Sequence, residues 1–291
     1  MTENRVLDGR FWKMHGAGND FVVVDVARDG RPTPERCAFL ADRHLGVGCD
    51  LVLGVDAPRS PGSVASFRIW TADGEESQQC GNGARCIALW LRQVRGLTSD
   101  RFALDSPSDT HEVHVREDGS VRISFGRADR RAARTIDVDG TTYDYTPVWV
   151  GNPHAVVPVR SLDEVPLATL GRRLQDPRHG YDPRVNVGAV ERLGPTAFGL
   201  RVFAFGAGET LACGSGACAA AVVMMDAGLV EETVDVHQRG GTLTIERTRD
   251  GRLFMTGPAT LVYEGRLPSA VAPPAASGGT SRGRVTAILT R

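Results

Sequence analysis

The chain carries no excess of charge of either sign: 34 basic residues face 35 acidic ones over 291 positions. No segment gathers Lys or Arg into the phosphate-neutralising face that nucleic acid requires, so no nucleic-acid partner is expected. No run approaches the ~20 apolar residues of a membrane span. The N-terminus, MTENRVLDGR, lacks the apolar core of a secretory signal. The expectation is a cytoplasmic protein with no membrane partner. Metal-ligand spacing is missing as well: six cysteines are present without a C-x2-C pair or nearby paired histidines, which argues against zinc. A reduced cytosol argues against a disulfide framework.

What is present is an ordinary apolar fraction of 41%, enough for one large or two compact domains. Four of the cysteines fall in two glycine-rich segments, CGNGARC from Cys80 and CGSGAC from Cys213. Cys37 lies in a predicted helix and Cys49 in an apolar stretch, where burial is the expected role. Positions 80 and 213 are 133 residues apart, and so are Asn19 in HGAGNDFVVV and Asn152 in WVGNPHAVV. Alternating residues around Asp118-Gly119 and Asp250-Gly251 predict two tight β-hairpins 132 residues apart.

Four landmarks in one order at nearly one spacing indicate a duplication. An N-terminal half over 1–127 carries Cys80 and a C-terminal half over 128–256 carries Cys213, with the join in the arginine-rich stretch 127–134. A strand near 257–268 is expected to complete the first half. The Pro-, Ala-, Gly- and Ser-rich residues 270–291 read as a mobile tail. Residues 217–227 are apolar nearly all round and residues 85–93 similarly so, which predicts two enclosed helices. The fold class expected is α+β: two pseudo-symmetric domains, each a mostly antiparallel sheet wrapped around a central helix.

Cys80 and Cys213 each precede a Gly-x-Gly turn that opens a helix, where unused N–H groups and the positive helix end lie beside the sulfur. That setting is expected to lower a thiol pKa toward neutrality. The same N–H groups bind carboxylates, so Gly81, Asn82, Gly214 and Ser215 are candidates for holding an α-carboxylate. Inverting a stereocentre by proton transfer needs a base on one face and an acid on the other. A thiolate facing a thiol meets that need without a metal or organic cofactor, and none is expected. Cys86 and Cys218, further along the helices, are assigned to packing.

The segments MHGAGNDFVVVD, ADGEESQQCGNGARC, GNPHAVV and GAGETLACGSGACAA together resemble diaminopimelate epimerase over residues 11 to about 268. Proline racemases and the phenazine-pathway relatives of that fold match these motifs less well. The resemblance implies a pyridoxal-independent amino-acid racemase or epimerase with Cys80 and Cys213 as acid and base. It further implies side-chain contacts to substrate from Asn19, Asn152 and Asn186. His15, His44 and His154 lie in the matching motifs and read as hydrogen-bonded structural groups.

The departures fall at one end of the site. Family members typically have Asn-Ala-Asp-Gly where this chain has Thr71-Ala72-Asp73-Gly74, and Glu-Arg where it has Ala204-Phe205. In the family that Asn, Glu and Arg help hold the unreactive amino-acid end of diaminopimelate. A bidentate Arg–carboxylate contact contributes on the order of 1.5–3 kcal/mol, and burying the distal charges without partners is unfavourable. Thr71, Ala204 and Phe205 are therefore candidate specificity positions, and an amino acid with a neutral, apolar or aromatic side chain is the expected partner. Two other readings stand beside this one: an authentic diaminopimelate epimerase with substitute anchors, and a non-catalytic small-molecule or peptide-binding protein on the same fold. Homodimerisation is left open.

Overall fold

A computed structural model describes residues 9–78, 80–179 and 182–267; the tail expected at 270–291 lies outside them. The first half runs β1 (Arg10–Gly16), β2 (Asn19–Asp25), α1 (Val26–Asp29), α2 (Pro34–Ala41), β3 (Leu51–Asp56), β4 (Ser63–Thr71), β5 (Glu76–Ser77), α3 (Gly81–Gln93), β6 (Arg101–Asp105), β7 (Thr110–Val115) and β8 (Val121–Ser124). There follow β9 (Asp129–Arg130), β10 (Arg134–Val138), β11 (Thr141–Trp149), β12 (Pro153–Val159), α4 (Leu167–Gln175), β13 (Asn186–Arg192), β14 (Ala197–Ala204), β15 (Gly208–Thr210), α5 (Gly214–Asp226), β16 (Thr233–Gln238), β17 (Gly241–Arg247), β18 (Leu253–Gly257) and β19 (Thr260–Arg266). Sheet-rich α+β architecture in two domains is what the sequence pattern predicts.

The pairings of the two halves correspond strand for strand. In the first, β1–β2–β3–β4–β6–β7–β8 are neighbours in that order, with β2–β3 and β4–β6 parallel and the others antiparallel. In the second, β11–β12–β13–β14–β16–β17–β18 repeat the order, with parallel pairs at the same two places. A parallel pair needs a long crossover, and the crossovers carry the helices: α2 and α4 in the first type, α3 and α5 in the second. β8 pairs with β18, joining the halves, and β19 returns to pair with β1.

α3 and α5 sit inside one continuous apolar core that runs through both halves. Residues Ala217 to Met225 of α5 are all buried, because alanines at 217 and 219–221 let the sheet close around the helix on every side. Cys86 and Cys218 are fully buried within this core, and Cys37 and Cys49 within a smaller cluster under α2. The helices begin at Gly81 and Gly214, earlier than the apolar pattern at 85 and 217 marks, since the Gly-x-Gly segment forms the first helical turn itself. Among the described residues no helix is long and apolar enough to cross a membrane.

Candidate active site

Each of the two cysteines is the N-cap of its helix. The Gly83 N–H donates to Cys80 Sγ at 3.2 Å and the Gly216 N–H to Cys213 Sγ at 3.3 Å. Glycine fits both positions without a shift, whereas an added Cβ would lie 3.1 Å and 3.2 Å from the sulfurs and press on them. The Ala84 and Ala217 N–H groups bond the Cys80 and Cys213 carbonyls. The N–H groups of Gly81, Asn82, Gly214 and Ser215 are thus left over from the helical ladders, as the first residues of any helix leave them.

The two helix starts meet. A Cβ on Gly214 would lie 2.9 Å from Met255 Sδ and 3.3 Å from Asn82 Oδ1, and one on Gly81 would lie 2.7 Å from Met255 Cε. Asn82 spans the gap: its Nδ2 donates to Asn19 Oδ1 at 3.3 Å and to the Ala212 carbonyl at 3.5 Å. Its Oδ1 accepts at 2.9 Å from Arg85, a fully buried guanidinium that also reaches the Pro258 carbonyl and Met255 Sδ.

Asn19 stands just after the two-residue turn Ala17–Gly18, both at positive φ, which ends β1 and starts β2. Its Nδ2 donates to Asp50 Oδ2 at 2.8 Å. Because a carboxylate oxygen only accepts, this bond fixes the amide so that Oδ1 faces Cys80 Sγ, at 4.0 Å. Asp50 is anchored in turn by Arg43, which also bonds Asp20, and Asp20 accepts from Lys13. Those cations hold the Asp20 carboxyl down at about 2, against the cost of its burial.

On the other side His154, buried on β12, places Nε2 2.9 Å from Asn152 Oδ1 and 3.0 Å from Ser215 Oγ. Ser215 Oγ lies 3.6 Å from Cys213 Sγ, and the Cys213 N–H donates to Gln238 Oε1 at 2.8 Å. Asn186 binds at both ends: its Nδ2 donates to the Pro153 carbonyl and its Oδ1 accepts from the Phe205 N–H at 3.1 Å. Of the three histidines, His154 alone joins the site. His44 is exposed, with its backbone N–H on Asp42, and His15 has a buried Nδ1 without a hydrogen-bond partner.

Thr71 and Ala204 are themselves 133 residues apart and end β4 and β14, the strands that lead into the cysteine loops. Side chains alternate faces along a strand. Val202 lies against the backbone at Gly216 and Leu53, opposite Ile69, against that at Gly83. Ala204 and Thr71, two residues on from Val202 and Ile69, therefore share the faces turned toward the helix starts. Thr71 Oγ1 bonds Asp73 and lies 3.0 Å from the Glu75 carbonyl, so the hydroxyl is engaged within its own turn. Phe205, in the β14–β15 turn, is half-exposed.

Glu209 is held by a bidentate pair with Arg201, at 2.8 and 2.9 Å, and by Arg239. It stands opposite Phe203, which packs on Gly171 of α4. That is the face away from the helix starts.

The thiols do not titrate as the helix-start argument predicts. Burial outweighs the bonds that favour thiolate and pushes Cys80 up to about 12, the Gly83 N–H and the Arg85 charge opposing it and the neighbouring Cys213 adding to it. Cys213 is raised as well, again by burial, with Ser215 and Gly216 opposing. The sequence shows the helix start but not the enclosure around it, and without substrate the enclosure decides.

The structure adds four supporting residues, Arg85, Asp50, Gln238 and, as a site member, His154. Arg85 and His154 lie inside the glycine-rich and Asn-Pro-His motifs, so their position was a signal. Asp50 and Gln238 reach the site only through pairing of distant strands. Among the described residues no three His, Cys, Asp or Glu side chains gather as a metal set.

An O-ureido-serine racemase from Streptomyces lavendulae is 48% identical over 270 residues, covering 88% of this chain and 94% of that protein. A diaminopimelate epimerase from Xanthomonas oryzae pv. oryzae is 46% identical over 272 residues, covering 88% and 95%. Both names are those of isomerases. Among solved structures, a probable proline racemase from Agrobacterium radiobacter has a TM-score of 0.72 at 13% identity over 92% of this chain and 94% of that one. A hydroxyproline epimerase from Agrobacterium vitis has a TM-score of 0.69 at 14% identity over 89% and 92%; both show the shared fold. The sequence model of the family described as diaminopimelate epimerase matches residues 11–130 and 146–262, one segment in each half. The chain belongs to the diaminopimelate epimerase family of isomerases.

Proposed function

We propose that this isomerase racemises an amino acid other than diaminopimelate, without pyridoxal phosphate, by proton exchange between Cys80 and Cys213. The carrying observation is the pair of helix starts capped by cysteine, brought together at Met255 and Asn82, with N–H groups of both first turns outside the helical ladders. A substrate α-carboxylate bound to those N–H groups sets the α-carbon between the sulfurs. One thiolate takes the α-proton, and the C–H electron pair stays on the α-carbon. The opposite thiol gives its proton to the other face, leaving a new thiolate there. Aimed N–H dipoles in an enclosed site stabilise the carbanionic transition state.

Asn19, Asn152 and Asn186 line this arrangement. Thr71, Ala204 and Phe205 form the specificity end. The Arg201–Glu209 pair does not replace the family's lost anchors, because it faces α4 and its charges are spent on each other. A neutral side chain fits such a site. The relative named for O-ureido-serine supports the same class of substrate.

The direct test is incubation with a panel of single-enantiomer amino acids in D2O. One of them is expected to racemise with deuterium entering at the α-carbon, with no added cofactor. Absence of exchange on every neutral amino acid in the panel, with exchange on diaminopimelate, overturns the substrate reading.

The raised thiols give a pH dependence. The base form is the thiolate, so an elevated pKa in the free enzyme means that kcat/KM rises as pH rises. A climb of about tenfold per unit between pH 7 and 9 is expected, in place of a plateau above neutrality. A profile already flat by pH 7 contradicts the burial-dominated site.

A further inference from the structure

The pseudo-symmetry of the two halves stops at the sulfurs. Cys80 and Cys213 receive matching N–H bonds from Gly83 and Gly216, at 3.2 and 3.3 Å, and the Ser215 N–H adds a further one at Cys213. The second group facing each sulfur differs in kind. Beside Cys80 it is Asn19 Oδ1, held in that orientation because the Asn19 amide nitrogen is committed to Asp50. A carbonyl oxygen only accepts, so it pairs with S–H and repels a thiolate. The Asp50 carboxylate behind it acts in the same direction.

Beside Cys213 the second group is a hydroxyl, and its proton is directed by what lies behind it. Burial pushes His154 down to about 3, so the ring is neutral and carries a single proton. Asn152 Oδ1, an acceptor 2.9 Å from Nε2, places that proton on Nε2. A protonated Nε2 accepts nothing, so the Ser215 hydroxyl, 3.0 Å away, cannot donate to it and shares the one ring proton with Asn152 Oδ1. Its own proton is then available to Cys213 Sγ at 3.6 Å. The position equivalent to Ser215 in the first half is Asn82, whose amide nitrogen is taken by Asn19 and Ala212. Arg85, the nearby positive charge, directs its bonds to Asn82, Pro258 and Met255 and makes none to Cys80.

We infer that the two thiols are inequivalent in the free enzyme: Cys213, faced by the Ser215 hydroxyl that His154 and Asn152 orient, ionises first, and Cys80, faced by the Asn19 carbonyl, keeps its proton. Ser215 and His154 are then positioning residues for the base, and the substrate-free protein is set to accept the enantiomer whose α-hydrogen faces Cys213. After one turnover Cys213 holds the abstracted proton and Cys80 is the thiolate. Proton exchange with solvent restores the starting state. The inference rests on the two-cysteine reading proposed above.

Alkylation of the substrate-free enzyme by limiting iodoacetamide near neutral pH, mapped by peptide mass spectrometry, reads thiolate fraction without turnover. Cys213 is expected to be carboxamidomethylated about tenfold faster than Cys80, the equivalent of one pKa unit. Ser215→Ala should slow Cys213 labelling and narrow the bias by about half its logarithm or more, the remainder being set by Asn19 and Asp50 at Cys80, whereas Ser215→Thr, which keeps the hydroxyl, should preserve the bias. The Cys80 rate should stay the same in both variants. Equal labelling in the wild type, faster labelling of Cys80, or a bias undiminished by Ser215→Ala overturns the inference. Biased labelling in a protein that racemises nothing leaves this polarity standing and removes the two-base function, so the two failures are distinguishable.

Discussion

Replacing either Cys80 or Cys213 by serine is expected to lower racemisation by about 10²–10⁴-fold, the range that a positioned acid or base contributes. Either sulfur alone works on one face of the α-carbon, and a serine hydroxyl is far less acidic than a thiol, so neither proton removal nor return on that face survives at neutral pH. The single variants should still eliminate HCl from a β-chloro amino acid. That reaction takes the α-proton on one face and expels chloride, and it needs no second acid. Cys80→Ser should retain elimination for the enantiomer facing Cys213, and Cys213→Ser for the other. Measuring racemisation and elimination on both enantiomers separates loss of one base from misfolding. Near wild-type racemisation in either variant defeats the assignment.

The second large effect concerns substrate. Wild type is expected to use a monocarboxylic amino acid with a neutral side chain at least about tenfold better in kcat/KM than diaminopimelate, a difference of roughly 1.4 kcal/mol in transition-state binding. The structure gives this a physical basis at Ala204, which stands on the face turned toward the Cys213 helix start, and at Glu209, which stands on the opposite face and is neutralised by Arg201. A distal ammonium and carboxylate would find no partners in these positions. Combining Thr71→Asn, Ala204→Glu and Phe205→Arg should move the ratio toward diaminopimelate. The single changes should do less, because each supplies only one of the contacts to a zwitterionic distal group and neighbouring positions couple. Thr71→Asn also removes the hydroxyl bonds to Asp73 and the Glu75 carbonyl in the β4–β5 turn, so its contribution alone is expected to be smallest. A wild-type preference for diaminopimelate by about tenfold or more removes the argument.

Much of this protein was decided locally and so is legible in the sequence. The 133-residue spacing of Asn19 with Asn152 and of Cys80 with Cys213 reflects two copies of one strand order, and Gly-x-Gly after each cysteine lets an N–H approach sulfur with no Cβ pressing on it. The hairpins at Asp118-Gly119 and Asp250-Gly251 follow from turn chemistry of neighbouring residues. Enclosure and orientation are different in kind. That burial raises the Cys80 thiol, that Asp50 turns the Asn19 carbonyl toward it, and that His154 turns the Ser215 hydroxyl toward Cys213 depend on groups far apart in sequence, 31 residues for Asn19 and Asp50 and 61 for His154 and Ser215. Desolvation and hydrogen-bond direction are set by which strands lie side by side, and no single segment contains that information. The sequence alone determines that two cysteines cap two helices; the tertiary structure decides which atoms face each sulfur, because only packing brings those atoms within hydrogen-bonding reach.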